Sequence, residues 1–207
     1  QESPQDSHKD NMRFIVSILL FSLFSIIQAK EITATSWLVA DEDGIVLKGQ
    51  NINEVRSIAS ISKLMTVMIV MDANQNLDEK LGKYTRREHI QLALVRSDNH
   101  SADVLCNNYP GGKIACVTAM NFKASTLYMP NTHFVEPTGL SVFNVSTANE
   151  LVNLVIAASK YPIIVEAGHT STAKIKVKKK WIVFHNTNPL IGYHQNIVVS
   201  KTGYIKA

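Results

Sequence analysis

Ser60 and Lys63 stand three residues apart in the stretch "RSIASISKLMTVMIVM", residues 56–71. On a helix that spacing puts two side chains on one face, a turn apart. A serine hydroxyl is a weak nucleophile at neutral pH until a base takes its proton and donors stabilise the oxyanion that follows. A lysine becomes such a base when burial or neighbouring cations disfavour its ammonium form. The spacing alone is a weak signal. Ser171 to Lys174 repeats it, but that second match leads into the alternating run "IKVKKKW" with its charges in water, and it is read as coincidence.

Two more short motifs follow the first in chain order: Ser97-Asp98-Asn99, and Lys201-Thr202-Gly203 near the end of the chain. Each suits a task around an acylated serine. Ser97 can relay a proton to a leaving amine, Asn99 can bond a substrate amide, Lys201 and Thr202 can hold a carboxylate, and Gly203 lets substrate lie close to the backbone. S-x-x-K, S-D-N and K-T-G in this order form the motif set of β-lactamases and penicillin-binding proteins.

The segments "RSIASISKLMT", "SDNHSADVL", "FVEPTGLSVFNVSTANEL" and "SKTGYIKA" carry a closer resemblance. From about Thr35 to Ile205 the chain resembles the low-molecular-mass penicillin-binding proteins of the D-alanyl-D-alanine carboxypeptidase family, most of all its endopeptidase branch. The resemblance implies Ser60 as the acylated nucleophile, Lys63 as base, and Ser97 and Asn99 as the second catalytic motif. It implies Lys201, Thr202, Gly203 and Tyr204 as substrate-binding residues, with the N–H groups of Ser60 and Tyr204 as oxyanion hole. The implied fold is the α+β transpeptidase-like fold, an antiparallel sheet flanked by helices. In the family further strands and a helix follow K-T-G, whereas this chain stops four residues after Gly203. Residues 30–207 are therefore expected to form a C-terminally incomplete D,D-peptidase domain, with the K-T-G strand an exposed edge and Lys201 and Tyr204 poorly positioned. The stretch between "LDEKL" and "TRREH" is also shorter than the family norm.

The elements that must hold these residues are legible in outline. "SWLVAD" and "IVLKGQ" across "EDG" read as a hairpin. From Ser60 to about Asn74 apolar residues cover nearly every side of a helix, which predicts a core helix with its N-terminus at the serine. "TRREHIQLALVRSDNHSADVLCNNYPGG" reads as two helices broken at "RSDNHS", and "GKIACVTAMNFKASTLYM" as another ending near Met129. Ser146 and Thr147 before Glu150 give a capping-box start to the next helix. "AKIKVKKKWIVFHNTNPLI" and "NIVVSKTGYIKA" alternate as strands do. Strands, then helices, then strands predict a sheet built from both ends of the chain.

The 207 residues are 45% apolar and 18% charged, a globular composition. Met12, Arg13, the apolar run 14–27 and Ala29 have the shape of a secretory signal, so residues 1–29 are set apart from the fold and an extracytoplasmic, periplasmic location is expected. The eleven residues before Met12 read as upstream of the protein proper. Residues 30–207 hold 19 Lys and Arg against 14 Asp and Glu, an excess that suits an anionic wall or membrane surface but is commonly a matter of solubility. Cys106 and Cys116 flank "NNYPGG"; two small buried thiols are expected, with a bridge as the alternative. The histidines show no ligand spacing, so no metal and no cofactor are expected. The "KIKVKKKW" run is read as a solvated face rather than a nucleic-acid site. The "EPTGL" stretch at Glu136 is read as structural rather than as the deacylating loop of a β-lactamase. The partners expected are peptidoglycan peptide stems, with β-lactams as covalent inhibitors. The rival reading is a non-catalytic homologue that binds peptidoglycan or a partner chain.

Overall fold

Among the described residues six helices pack together, four of them around a fifth that is nearly all buried. The computed structural model describes residues 32–193 and 196–205, so the secretory-type leader lies outside the described residues. The unit Ser36–Ala207 contains every element named here. Helix α1, Ser62–Asp72, buries nine of its eleven residues, among them Leu64, Met65, Val67, Met68, Ile69 and Val70. Each such side chain contributes roughly 1.5–3 kcal/mol on leaving water. Around α1 pack α2 (Arg86–Val95), α3 (Asn99–Asn107), α4 (Gly112–Thr126) and α5 (Ala148–Ala158). Helix α6, Pro162–His169, lies against α2.

The core helix starts later than its apolar pattern predicts. A 3₁₀ turn, Ala59–Ile61, precedes it, so Ser60 sits in a tight turn ahead of the α-helix. That turn is fixed from outside. Ile58 N–H donates to Asn144 O, and strand β3, Arg56–Ser57, pairs with β6, Val145–Ser146.

Strands β1 (Trp37–Ala40) and β2 (Val46–Gln50) form the expected N-terminal hairpin. Asp41 Oδ1 holds its turn by accepting from the Asp43 and Ile45 N–H groups. The short pair β4 (Lys80–Leu81) and β5 (Tyr84–Thr85) leads into α2, which Thr85 and Glu88 start with a reciprocal capping box. The box predicted for α5 is only half formed. Thr147 accepts from Glu150 N–H, but the Glu150 carboxylate turns away to accept from Asn131 N–H, Asn131 Nδ2 and the buried Thr132 hydroxyl. Helix α4 ends at Thr126, three residues before the expected end, as the chain turns through Tyr128 at positive φ.

Strands β7 (Thr172–Val177) and β8 (Lys180–His185) form a second hairpin, with Ala173, Ile175 and Phe184 buried. The expected joining of the chain's two ends into one sheet does not occur: the described strands pair only two by two. The K-T-G segment is no strand either. Among the described residues no backbone ladder engages 196–205, and side-chain bonds hold them instead, Asn188 Nδ2 to Ser200 Oγ at 2.8 Å and Thr187 Oγ1 to Thr202 Oγ1 at 2.6 Å.

Cys106 and Cys116 are bridged, with Cα atoms 5.5 Å apart, where two free thiols were expected. The "YPGG" turn folds the start of α4 back against the end of α3, and this brings the two sulfurs together in the core.

Candidate active site

The turn that carries Ser60 is held open to the site by unusual backbone. Ala59 adopts φ +47°, and Gly139 at φ +79° lies so close that a β-carbon on it would fall 1.9 Å from Ala59 O. A glycine is therefore required where the 136–141 loop crosses the serine turn. Thr66 Oγ1 ties that loop to α1 by donating to Pro137 O at 2.7 Å. The buried Asn144 ties it further, accepting from Val135 and Glu136 N–H and donating to Glu136 O and Ser62 Oγ.

Lys63, in the first turn of α1, is fully buried. Its Nζ lies 2.7 Å from Ser60 Oγ, 2.7 Å from Asn99 Oδ1 and 2.5 Å from Thr138 O. Burial lowers its pKa to about 8, against the opposing pull of Glu136 and Asp98. The free amine fits this cage. As ammonium it donates to all three oxygens, and once it loses a proton it keeps two N–H groups for Asn99 Oδ1 and Thr138 O and can turn its lone pair to the Ser60 hydroxyl.

Ser97, 104 residues from Lys201 in sequence, accepts from Lys201 Nζ at 2.7 Å. It stands at φ +61°, a conformation that non-glycine residues rarely keep outside functional sites. Asp98 N-caps α3 by accepting from Ser101 N–H, and so places Asn99 in the first turn of α3, facing Lys63. Lys201 is held by Ser97 and Thr202 O, contrary to the poor positioning expected of it. Burial first, and then the Lys63 charge, lowers its pKa to about 7. Gly203 lies against the serine turn, where a β-carbon would be 3.5 Å from Ser60 N. Tyr204 is 79% exposed.

All three motifs thus meet at one place. Sequence reasoning missed the Thr138 carbonyl as the third partner of Lys63 and Asn144 as the clamp behind it. Only the "EPTGL" stretch hinted at either. The Glu136 carboxylate accepts from the N–H groups of Thr138, Gly139 and Ser141, as befits a structural loop. The second match, Ser171 to Lys174, lies at the start of β7 with Lys174 in solvent. A cavity of about 430 Å³ lies behind the serine turn, lined by Glu54, Arg56, Ile58, Ala59 and Tyr204, and none of the bonded polar cluster opens into it.

The geometry pairs a serine hydroxyl with a buried lysine amine, and comparison with known proteins supplies the family. The family model described as D-alanyl-D-alanine carboxypeptidase, peptidase S11, matches residues 24–82 and 75–207, and the chain belongs to that family. It is 41% identical over 199 residues to a D-alanyl-D-alanine endopeptidase of Pseudomonas aeruginosa, covering 84% of this chain and 64% of that one. A D-alanyl-D-alanine endopeptidase of Escherichia coli is 42% identical over 202 residues, covering 86% and 65%. The chain therefore spans just under two thirds of the length of these relatives. Penicillin-binding protein D2 of Listeria monocytogenes, solved with cefotaxime bound, superposes with a TM-score of 0.73 at 28% identity, over 84% of this chain and 81% of that one. The α+β transpeptidase-like fold is thus the fold of this chain.

Proposed function

We propose that the protein is an exported serine D,D-peptidase that hydrolyses D-alanyl peptide bonds of peptidoglycan through an acyl-enzyme. The observation that carries this reading is the Lys63 cage, with Ser60, Asn99 and Thr138 around one buried amine. As free amine, Lys63 takes the Ser60 proton while Ser60 Oγ bonds to the D-alanyl carbonyl carbon. The oxyanion is stabilised by the N–H groups of Ser60 and Tyr204. Lys201 in its charged form and Thr202 hold the substrate carboxylate, Gly203 admits the substrate beside the serine turn, and the Asn99 amide N–H₂ bonds its peptide. As the C–N bond breaks, the proton passes from Lys63 through Ser97 to the leaving amine. Water then attacks the Ser60 ester while Lys63 accepts its proton, the C–Oγ bond breaks to release the carboxylate product, and Lys63 returns that proton to Ser60 Oγ.

The similarity to D-alanyl-D-alanine endopeptidases supports the cross-link between stems as the preferred bond. β-Lactams acylate Ser60 and stay, because Glu136 is committed to three backbone N–H groups and is not free to activate a deacylating water. The buried Cys106–Cys116 bridge supports an oxidising, extracytoplasmic location, and with it a leader within residues 1–29.

Covalent labelling by a fluorescent penicillin, read on a denaturing gel beside Ser60→Ala, tests the reading. Labelling is expected in the parent and absent in the variant. A folded parent chain that takes no label would favour the non-catalytic homologue, for which the unpaired K-T-G segment is the one supporting observation.

A further inference from the structure

We propose that the β7–β8 hairpin is a docking element for an anionic lipid surface. Residues 167–207 contain no Asp or Glu but seven lysines, and five of these, Lys174, Lys176, Lys178, Lys179 and Lys180, belong to the hairpin and its turn. All five are exposed. None forms an ion pair among the described residues, whereas Lys80, Lys113 and Lys123 elsewhere do.

Register sorts the hairpin into two faces. Ala173, Ile175 and Phe184 turn inward. On the other face Lys174 stands opposite Val183 and Lys176 opposite Trp181, with Lys176 Nζ 5.9 Å from the Trp181 ring. Trp181 is 62% and Val183 47% exposed. A column of cations beside an apolar and aromatic column matches a bilayer interface, where phosphates lie above acyl chains and tryptophan is favoured at the boundary. An anionic polymer would engage the lysines but would leave Val183 in water.

The turn itself supports the assignment. Val177 pairs with Lys180, so Lys178 and Lys179 form a two-residue turn, and Lys178 holds φ +54°. Glycine or asparagine is the ordinary choice there. Lysines at both positions put charge at the tip at the expense of turn preference.

The hairpin's base lies at the active site, since Thr187 N–H donates to Val95 O and Thr187 Oγ1 meets Thr202 Oγ1. The proposal does not rest on the reaction assigned to that site.

The test is co-sedimentation of the chain with phosphatidylcholine vesicles containing 30% phosphatidylglycerol, against pure phosphatidylcholine. Any binding by the apolar run 14–27 is common to both, so the difference between them is read. Each lysine near an anionic surface contributes about fivefold to partitioning. The triple variant Lys178→Glu, Lys179→Glu, Lys180→Glu is therefore expected to lose about a hundredfold or more of its preference for the anionic vesicles, with circular dichroism unchanged. High salt should erase the preference in the parent. A second reading uses Trp37→Phe, which leaves Trp181 as the reporter with every lysine intact: its emission should shift to the blue on anionic vesicles only. Equal binding to both vesicles, an unmoved Trp181 spectrum, or a triple variant that folds and binds like the parent would overturn the proposal. So would lysine-dependent binding to isolated peptidoglycan without vesicle binding, which would assign the face to the polymer.

Discussion

Replacing Lys63 by methionine separates the cost of burying a cation from everything else the residue does. Lys63 has no exposed surface, and burial lowers its pKa from 10.5 to about 8. Below pH 8 it is charged in both the folded and the unfolded chain. Between about 8 and 10.5 the folded chain has released the proton that the unfolded chain still holds, so the unfolded state binds more protons and stability rises with pH. The difference between 10.5 and about 8, at about 1.4 kcal/mol per pH unit, amounts to about 3.5 kcal/mol over the whole window. Lys63→Met keeps the length and apolar character of the stem and removes this titration. Groups common to both chains cancel in the difference between them, with one exception of known sign. Without the Lys63 charge, Lys201 keeps its proton to higher pH in the variant, which widens the gap in the same direction. Urea unfolding of both chains at pH 7, 8, 9 and 10 is the assay. The parent should gain on the variant by about 2.5 kcal/mol across that range, almost all of it above pH 8. A difference flat to within about 0.5 kcal/mol, the error of such extrapolations, would refute the claim that burial of an ammonium controls this site.

The same group sets the acid side of the pH dependence of acylation: because Lys63 must be free of its proton and Lys201 must keep its own, penicillin labelling rates should pass through a maximum between about pH 7 and 8, and Asp98→Asn, which keeps the helix cap but removes a charge that raises the Lys63 pKa, should move the acid-side midpoint down. A midpoint unmoved by Asp98→Asn would exclude Lys63 as the titrating base. Gly139→Ala drives a methyl group into the Ala59 carbonyl at a positive φ, and stopped-flow labelling should show acylation reduced at least a hundredfold while the core remains folded. Replacing Cys106 and Cys116 together by alanine should lower stability by about 3 kcal/mol, the loop-closure value for a span of this size; calorimetry that finds less than about 1 kcal/mol would mean the α3–α4 turn is fixed without the bridge.

Much of the local organisation is written in short-range chemistry. The reciprocal cap of Thr85 and Glu88, the break between α2 and α3, the unbroken apolar surface of α1 and the two hairpins each depend on residues within one or two turns of chain. The three chemical motifs are legible for the same reason, since each is three or four residues long. Their family resemblance told that they belong together, but not how they touch.

What the tertiary structure alone decided depends on distance in the chain. The 2.7 Å contact between Ser97 and Lys201 spans 104 residues, and the Thr138 carbonyl reaches Lys63 across 75. The lowered pKa values of Lys63 and Lys201 come from packing that no local pattern encodes. The Cys106–Cys116 bridge turned on whether two helices fold back on each other. The K-T-G segment alternates as a strand does yet forms none, because a strand needs a neighbour to share its hydrogen bonds, and among the described residues no neighbour lies alongside it. Sequence thus determined which groups could do the chemistry, and long-range packing determined that Ser60 and Asn99 meet the buried Lys63 and that Ser97 meets Lys201.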